Sequence, residues 1–236
     1  MVSISFKEHQ VYGNLSVEKQ LDILVVDDHQ LILTGTLDVL SREYPKATII
    51  KAQTGKETLS QLNFHQFHLI VMDLSIPDQQ GETAEIDTGI KLLQILLQEY
   101  PHQNVMVQTS YVKALIRIKH EIDNHQGGFA IADKGLPEDE MLMRLNLALN
   151  GGTHTKDIKK SIELKPEWLE VLRLAFEESL TDKAIAEQMY KSERAVRTYW
   201  TKIQDVLGVY PEDCKQGGKN MRIQTEIRSR EEGLID

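Results

Sequence analysis

Three acidic residues stand where chemistry could begin. Asp27-Asp28-His29 closes the apolar run Ile23-Leu24-Val25-Val26, and a second apolar run, Leu69-Ile70-Val71-Met72, ends on Asp73. Carboxylates converging from two strand ends repel one another unless a hard cation bridges them, and Mg2+ prefers oxygen ligands of this kind. Each acid alone could simply open a turn, as Asp commonly does. The same arrangement on two separate runs points to a site.

Positioning such a site requires strands that end side by side. Short apolar runs at 22–27, 47–52, 68–72, 104–109 and 128–132 alternate with helical periodicities at 30–43, 56–63, 88–100, 112–123 and 137–149. Alternating β and α elements predict a parallel sheet with helices on both faces. In such sheets ligands collect outside the carboxyl ends of the strands, where strand order reverses. Gly151-Gly152 then ends the last helix, and the polar stretch to residue 163 reads as a linker. Beyond it, Leu164-Lys165-Pro166-Glu167 sets a proline near a helix start. Further helices begin near Thr181 and Ser192, and a last one is expected from about Asn220 to Glu232.

Composition narrows the class. A length of 236 residues suits one large or two modest domains, and 41% hydrophobic with 27% charged residues is ordinary for globular protein. No apolar run reaches the eighteen residues that a membrane span needs, and residues 1–20 lack a signal-peptide core. A lone cysteine, Cys214, excludes an intrachain disulfide framework and suits a reducing cytoplasm. The net charge of −9 is carried by the first two-thirds of the chain, whereas bases outnumber acids between Met189 and Arg230. A locally basic tail is compatible with nucleic-acid binding confined to that part.

Residues 21–150 resemble the receiver domain of two-component response regulators. Val26-Asp27-Asp28-His29-Gln30-Leu31, with Gly35 soon after, is similar to the opening of the NarL/FixJ subfamily. Asp73-Leu74-Ser75-Ile76-Pro77 is similar to the segment around the phosphorylated aspartate, and Thr109-Ser110 to the hydroxyl pair ending the fourth strand. The resemblance implies a five-stranded doubly wound sheet of order 2-1-3-4-5, with Mg2+ held by Asp27, Asp28 and Asp73. It further implies that Asp73 accepts phosphate from a sensor histidine kinase, aided by Thr109 and Lys134. A carboxylate attacked by a phosphoryl donor becomes an acyl phosphate, and positioning with charge neutralisation supplies most of the catalysis.

Departures from the pattern accompany the match. Residues 82–88 read as an insertion beside Asp73, either a solvated loop or a lid, and either Gly81 or Gly89 could be the family's glycine. Thr109 and Lys134 stand slightly farther apart than the family expects. The switch aromatic falls on Ile131, with Phe129 two positions earlier, and Gly135 follows Lys134 instead of proline.

Residues 164–236 resemble the LuxR-type four-helix, helix-turn-helix DNA-binding domain. Lys183-Ala184-Ile185-Ala186-Glu187-Gln188-Met189 is similar to its scaffold helix and Lys191-Ser192-Glu193-Arg194-Ala195-Val196-Arg197-Thr198 to the start of its recognition helix. Val196, Ile203 and Val206 should pack inward, leaving Arg194, Arg197, Thr198, Thr201 and Lys202 facing DNA. Trp200 fits core packing better than DNA contact, Ser179 stands where the family usually has glycine, and 211–218 reads as a second insertion.

The expected domains are therefore an extension over 1–20, a receiver over 21–150, a linker over 151–163 and a DNA-binding domain over 164–236. The expected function is a cytoplasmic transcriptional response regulator, homodimeric on double-stranded DNA and without membrane attachment. It is not an enzyme beyond its own phosphoryl transfer and slow dephosphorylation. The alternative is a phosphorylation-independent adaptor or antagonist acting through protein contacts. No second nucleophile or leaving-group acid supports a turnover enzyme.

Overall fold

The computed structural model describes residues 20–156 and 164–236. Expectations for positions 1–19 and for 157–163 of the linker lie outside the described residues.

Six parallel strands form one sheet in the order β2-β1-β3-β4-β5-β6. They are β1 (Asp22–Val26), β2 (Thr48–Ala52), β3 (Leu69–Met72), β4 (Val105–Thr109), β5 (Phe129–Asp133) and β6 (Thr153–His154). The continuous apolar runs of β1 and β3 occupy central places because both of their faces are covered. Alternate residues serve opposite layers. Leu24, Val26, Ile70 and Met72 pack toward one layer, while Ile23, Val25, Leu69 and Val71 pack toward the other. The first layer is closed by α2 (Gly55–Phe64), α3 (Ile86–Glu99), a 3-10 segment (Val112–Ile118) and α4 (Lys119–Asn124). The second is closed by α1 (Gln30–Glu43) and α5 (Glu138–Leu149).

The sheet corrects the expected strand count. Thr153 and His154 pair in parallel with Phe129 and Ala130, adding a sixth strand inside the stretch that reads as linker. Two residues carry too little hydrophobic pattern to announce a strand. The helix expected over 112–123 is likewise two pieces, with a tight 3-10 turn preceding α4. The expected insertion is only partly loop, because α3 already begins at Ile86. Glu85 N–H donates to the Ile76 carbonyl at 3.2 Å, closing an antiparallel bridge that ties residues 77–84 into a short excursion.

The C-terminal part holds α6 (Pro166–Phe176), α7 (Asp182–Gln188), α8 (Glu193–Leu207), α9 (Pro211–Gln216) and α10 (Met221–Glu231). These are five helices rather than four, the additional one being the short α9 within the second expected insertion. Side-chain caps fix three starts: Thr181 accepts from Ala184 N–H, Ser192 from Ala195 N–H, and Asn220 from Arg222 and Ile223 N–H. Trp200 lies in this core, edge-on to Phe176 with ring centroids 5.6 Å apart. Ser179 adopts φ 55°, a left-handed conformation that glycine would take without a steric penalty.

Candidate functional site

The site lies at the carboxyl ends of β1, β3, β4 and β5. β1 delivers Asp27 and Asp28, β3 delivers Asp73, and parallel pairing of Val26 with Met72 sets Asp27 and Asp73 at one level. Asp27 and Asp73 are buried and Asp28 is partly buried. Among the described residues, Asp27, Asp28, His29 and Asp73 each offer a ligand atom, all within 4.8 Å of one another. This adds His29 to the acids read as a cation site. It closes the same tripeptide as Asp27 and Asp28, a position that by itself gives it no role.

Lys134 supplies the counter-charge. Its Nζ lies 2.7 Å from Asp27 Oδ2 and donates to Asp73 Oδ2 at 2.8 Å. Desolvation works against the Lys134 charge, yet its hydrogen bonds to Asp27 and Asp73 outweigh burial and raise its pKa above the ordinary lysine value. For Asp27 the balance is reversed. Burial pushes its carboxyl above the usual range despite Lys134 and the His29 backbone N–H, which donates to Oδ1 at 2.8 Å. Asp73 Oδ1 accepts from Leu74 N–H at 2.7 Å, which fixes the carboxylate plane.

The residues fit a divalent cation. Asp28 Oδ1 is a shielded carboxylate oxygen without a hydrogen-bonding partner, although His29 Nδ1 lies 2.8 Å away at ion-pair distance. Three acids crowded at one strand edge are costly unless positive charge is placed among them, as a divalent cation would be.

Thr109 ends β4 and is fully buried, its Oγ1 accepting from Tyr111 N–H at 3.2 Å. Lys134 N–H donates to the Thr109 carbonyl at 3.3 Å, joining the ends of β4 and β5. The structure thus brings Asp27, Asp73 and Lys134 into contact, with Asp28 beside them and Thr109 at the same sheet edge. The two glycines differ in what surrounds them. At Gly89 a Cβ would stand 2.0 Å from the Leu74 carbonyl oxygen, so α3 approaches the Asp73 loop closely only through a glycine. At Gly81 nothing stands within 4 Å. Ile131 and Phe129 are both buried in β5, leaving no aromatic ring at the expected switch position.

The second candidate surface is the outer face of α8. Val196, Trp200, Ile203 and Leu207 turn inward, with Val206 partly buried. Arg194, Arg197, Thr198, Thr201 and Lys202 all face solvent on the same helix. Arg197 Nη2 donates to Glu193 Oε2 at 3.1 Å, and Thr198 and Thr201 donate to the carbonyls of Arg194 and Arg197. Tyr190 projects from the turn before this helix, 95% exposed and at φ 54°. No sequence pattern marks a residue held in that conformation.

Residues 23–125 match the response regulator receiver domain. The oxygen regulatory protein NreC of Staphylococcus haemolyticus is 24% identical over 149 residues, 63% of this chain and 64% of that protein. NreC of Staphylococcus carnosus is 23% identical over 211 residues, 80% of this chain and 92% of that protein. Among solved structures, RcsB of Salmonella enterica serovar Typhimurium, bound to promoter rprA with the phosphomimetic BeF3-, shares the fold with a TM-score of 0.59. It is 20% identical and covers 89% of this chain and 98% of its own.

Proposed function

We propose that this chain, a response regulator of the NarL/FixJ type, takes a phosphoryl group on Asp73 from a sensor histidine kinase and uses its C-terminal helices to bind DNA. Regulators of this type are DNA-binding proteins rather than classical enzymes. The observation that carries the reading is the placement of one ammonium, Lys134 Nζ, within 2.8 Å of two buried carboxylates beside a third.

In this reading Asp27, Asp28 and Asp73 hold Mg2+, whose charge would offset that of the incoming phosphoryl oxygens. Asp73 is the nucleophile, its Oδ1 held by Leu74 N–H and its Oδ2 by the Lys134 ammonium. The Asp73 carboxylate oxygen forms a bond to phosphorus as the bond to the phosphohistidine nitrogen breaks, and the histidine takes up a proton. Lys134 then pairs with phosphoryl oxygen as a mobile point charge. The buried Thr109 hydroxyl, which accepts from Tyr111 N–H, would donate its proton to the same group.

The domain division follows from these roles: a receiver over 21–150, a connection over 151–163 and a DNA-binding unit over 164–236. On α8, Arg194, Arg197, Thr198, Thr201 and Lys202 form the proposed DNA surface, with Arg197 as the base-reading side chain. A bidentate Arg–guanine contact contributes ~1–3 kcal/mol of discrimination. The protein acts as a homodimer on double-stranded DNA, in the cytoplasm. Among the described residues no helix is long and apolar enough to cross a membrane.

Incubation with acetyl phosphate and Mg2+ tests the centre of this reading. Wild-type protein should gain one acid-stable, base-labile phosphate, and Asp73→Asn none. Equal labelling of the Asn variant would assign the phosphate elsewhere.

A further inference from the structure

A second cavity lies at the amino ends of the strands, across the sheet from Asp73. It spans about 730 Å3 beside the starts of β1, β3 and β4. Leu62, Phe67, Tyr100 and Leu149 give it an apolar wall, and His65, His68 and His102 belong to the same lining. Among the described residues that line it, none is Asp, Glu, Lys or Arg, although these types make up 27% of the chain. A space of this size, mostly apolar with a few converging polar groups, is what a small organic ligand needs.

Asn104 sets the shape in advance. Its Nδ2 donates to the His68 carbonyl at 2.9 Å and to the Leu149 carbonyl at 3.2 Å, while its Oδ1 accepts from Gly128 N–H at 2.8 Å. One amide thereby ties the residue before β3 to the end of α5 and to the residue before β5. His68 is oriented as well. Its Nδ1 accepts from Asp22 N–H at 3.0 Å, so the neutral ring carries its proton on Nε2. That Nε2–H donor has no partner among the described residues. His65 lies tilted against Phe67, ring centroids 5.9 Å apart, and carries the aromatic wall out to solvent.

The lining also excludes other ligand classes. Phosphate-bearing molecules call for Arg or Lys, and an organic cation calls for a carboxylate. Neither type is present in the wall. The three imidazoles do not close on one metal ion. Among the described residues, only the cluster around Asp27 brings three or more such ligand atoms within 4.8 Å of one another. What remains is flat apolar surface with imidazole N–H donors, which suits an aromatic ring bearing one carboxylate.

We propose that this cavity binds a small aromatic carboxylate, its ring against Phe67 and Tyr100 and its carboxylate accepting from His68 Nε2–H. The site is separate from the Asp73 centre and does not rest on the phosphoacceptor reading.

Titration of the full chain with naphthoate, followed by amide NMR, tests this. Saturable shifts should appear at Phe67, His68, Gln103 and Asn104, with a dissociation constant below about 1 mM. Naphthamide has the same shape without the charge and should bind roughly tenfold more weakly, because hydrogen bonds to a charged acceptor are the stronger. His68→Ala should weaken naphthoate by roughly tenfold and naphthamide much less. Equal affinity for acid and amide, or the same loss for both in His68→Ala, would overturn the proposal. The wild-type comparison decides this even where His68→Ala does not fold. Lack of saturable shifts at these amides would remove the site altogether. Because Leu21 lines the cavity, the competing occupant is the start of the chain itself. Shifts that appear only after residues 1–19 are deleted would assign the cavity to that segment and sink the ligand.

Discussion

Lys134 stabilises two buried carboxylates that the fold would otherwise leave facing each other. Removing one partner of a buried charge cluster typically costs about 3–5 kcal/mol, because the remaining charges lose their compensation. Lys134→Ala should therefore lower stability by about 3 kcal/mol at neutral pH without divalent cation, measured by urea denaturation, and millimolar Mg2+ should return part of it. The sign with pH follows from the shifts. Lys134 has a folded pKa raised above its unfolded value, so its stabilising contribution is complete below the ordinary lysine range and is lost as pH rises through the folded value. Asp27 is also raised, chiefly by burial, so its ionisation opposes folding and that penalty lifts as pH falls through its folded pKa. Asp27→Asn should accordingly raise the melting temperature at pH 7 while abolishing Mg2+ binding, with the stability gain shrinking toward pH 4. A variant melting below wild type at pH 7 would show the Lys134 contact outweighing burial.

At the scale of elements, the close approach of α3 to the loop after Asp73 is the most constrained packing near the site. Gly89→Ala would drive a methyl group into the Leu74 carbonyl, so overpacking should cost about 1–3 kcal/mol. The same variant should slow labelling of Asp73 by acetyl phosphate. In the C-terminal domain, Asp182 Oδ1 accepts from Trp200 Nε1 at 3.0 Å and from Arg222 Nη2 at 2.9 Å. The Arg222 guanidinium also lies over the Trp200 ring, 3.5 Å from its centroid. One acid thus joins the start of α7 to α8 and α10. Asp182→Ala should cost roughly 1–3 kcal/mol and change Trp200 emission, read in a Trp168→Phe background. The site acids were legible from sequence because apolar runs ended on them, and inward-facing α8 positions because their spacing is helical. Arg117 was not legible, since its partners Asp87 and Asp236 lie far away in sequence and meet it only in the folded chain. The sixth strand and the 3-10 segment escaped for another reason: each is too short, or too tightly wound, for hydrophobic periodicity to register.

For the whole molecule, the uneven charge predicts how DNA binding should respond to salt. The chain carries a net −9, so under the proposed function attraction to phosphate comes from the bases between Met189 and Arg230, among them those of α8, against the repulsion of the acidic first part. Lys202→Ala should reduce the slope of log affinity against log salt by about 1 and weaken all sequences alike. Arg197→Ala should instead relax preference at one base position, a loss of ~1–3 kcal/mol in discrimination measured by competition between matched and altered sites.

The short strand β6 bears on how far the two halves can part. By pinning Thr153 and His154 to the sheet edge, it leaves few positions before Leu164 re-enters packed structure. Ten residues from His154 to Leu164 cannot reach beyond about 36 Å even when drawn straight. Were the C-terminal helices to part from the first domain, they would stay in a confined volume around it, at an effective concentration on the order of millimolar. Under the proposed function, re-contact between the two parts would then need no search through solution.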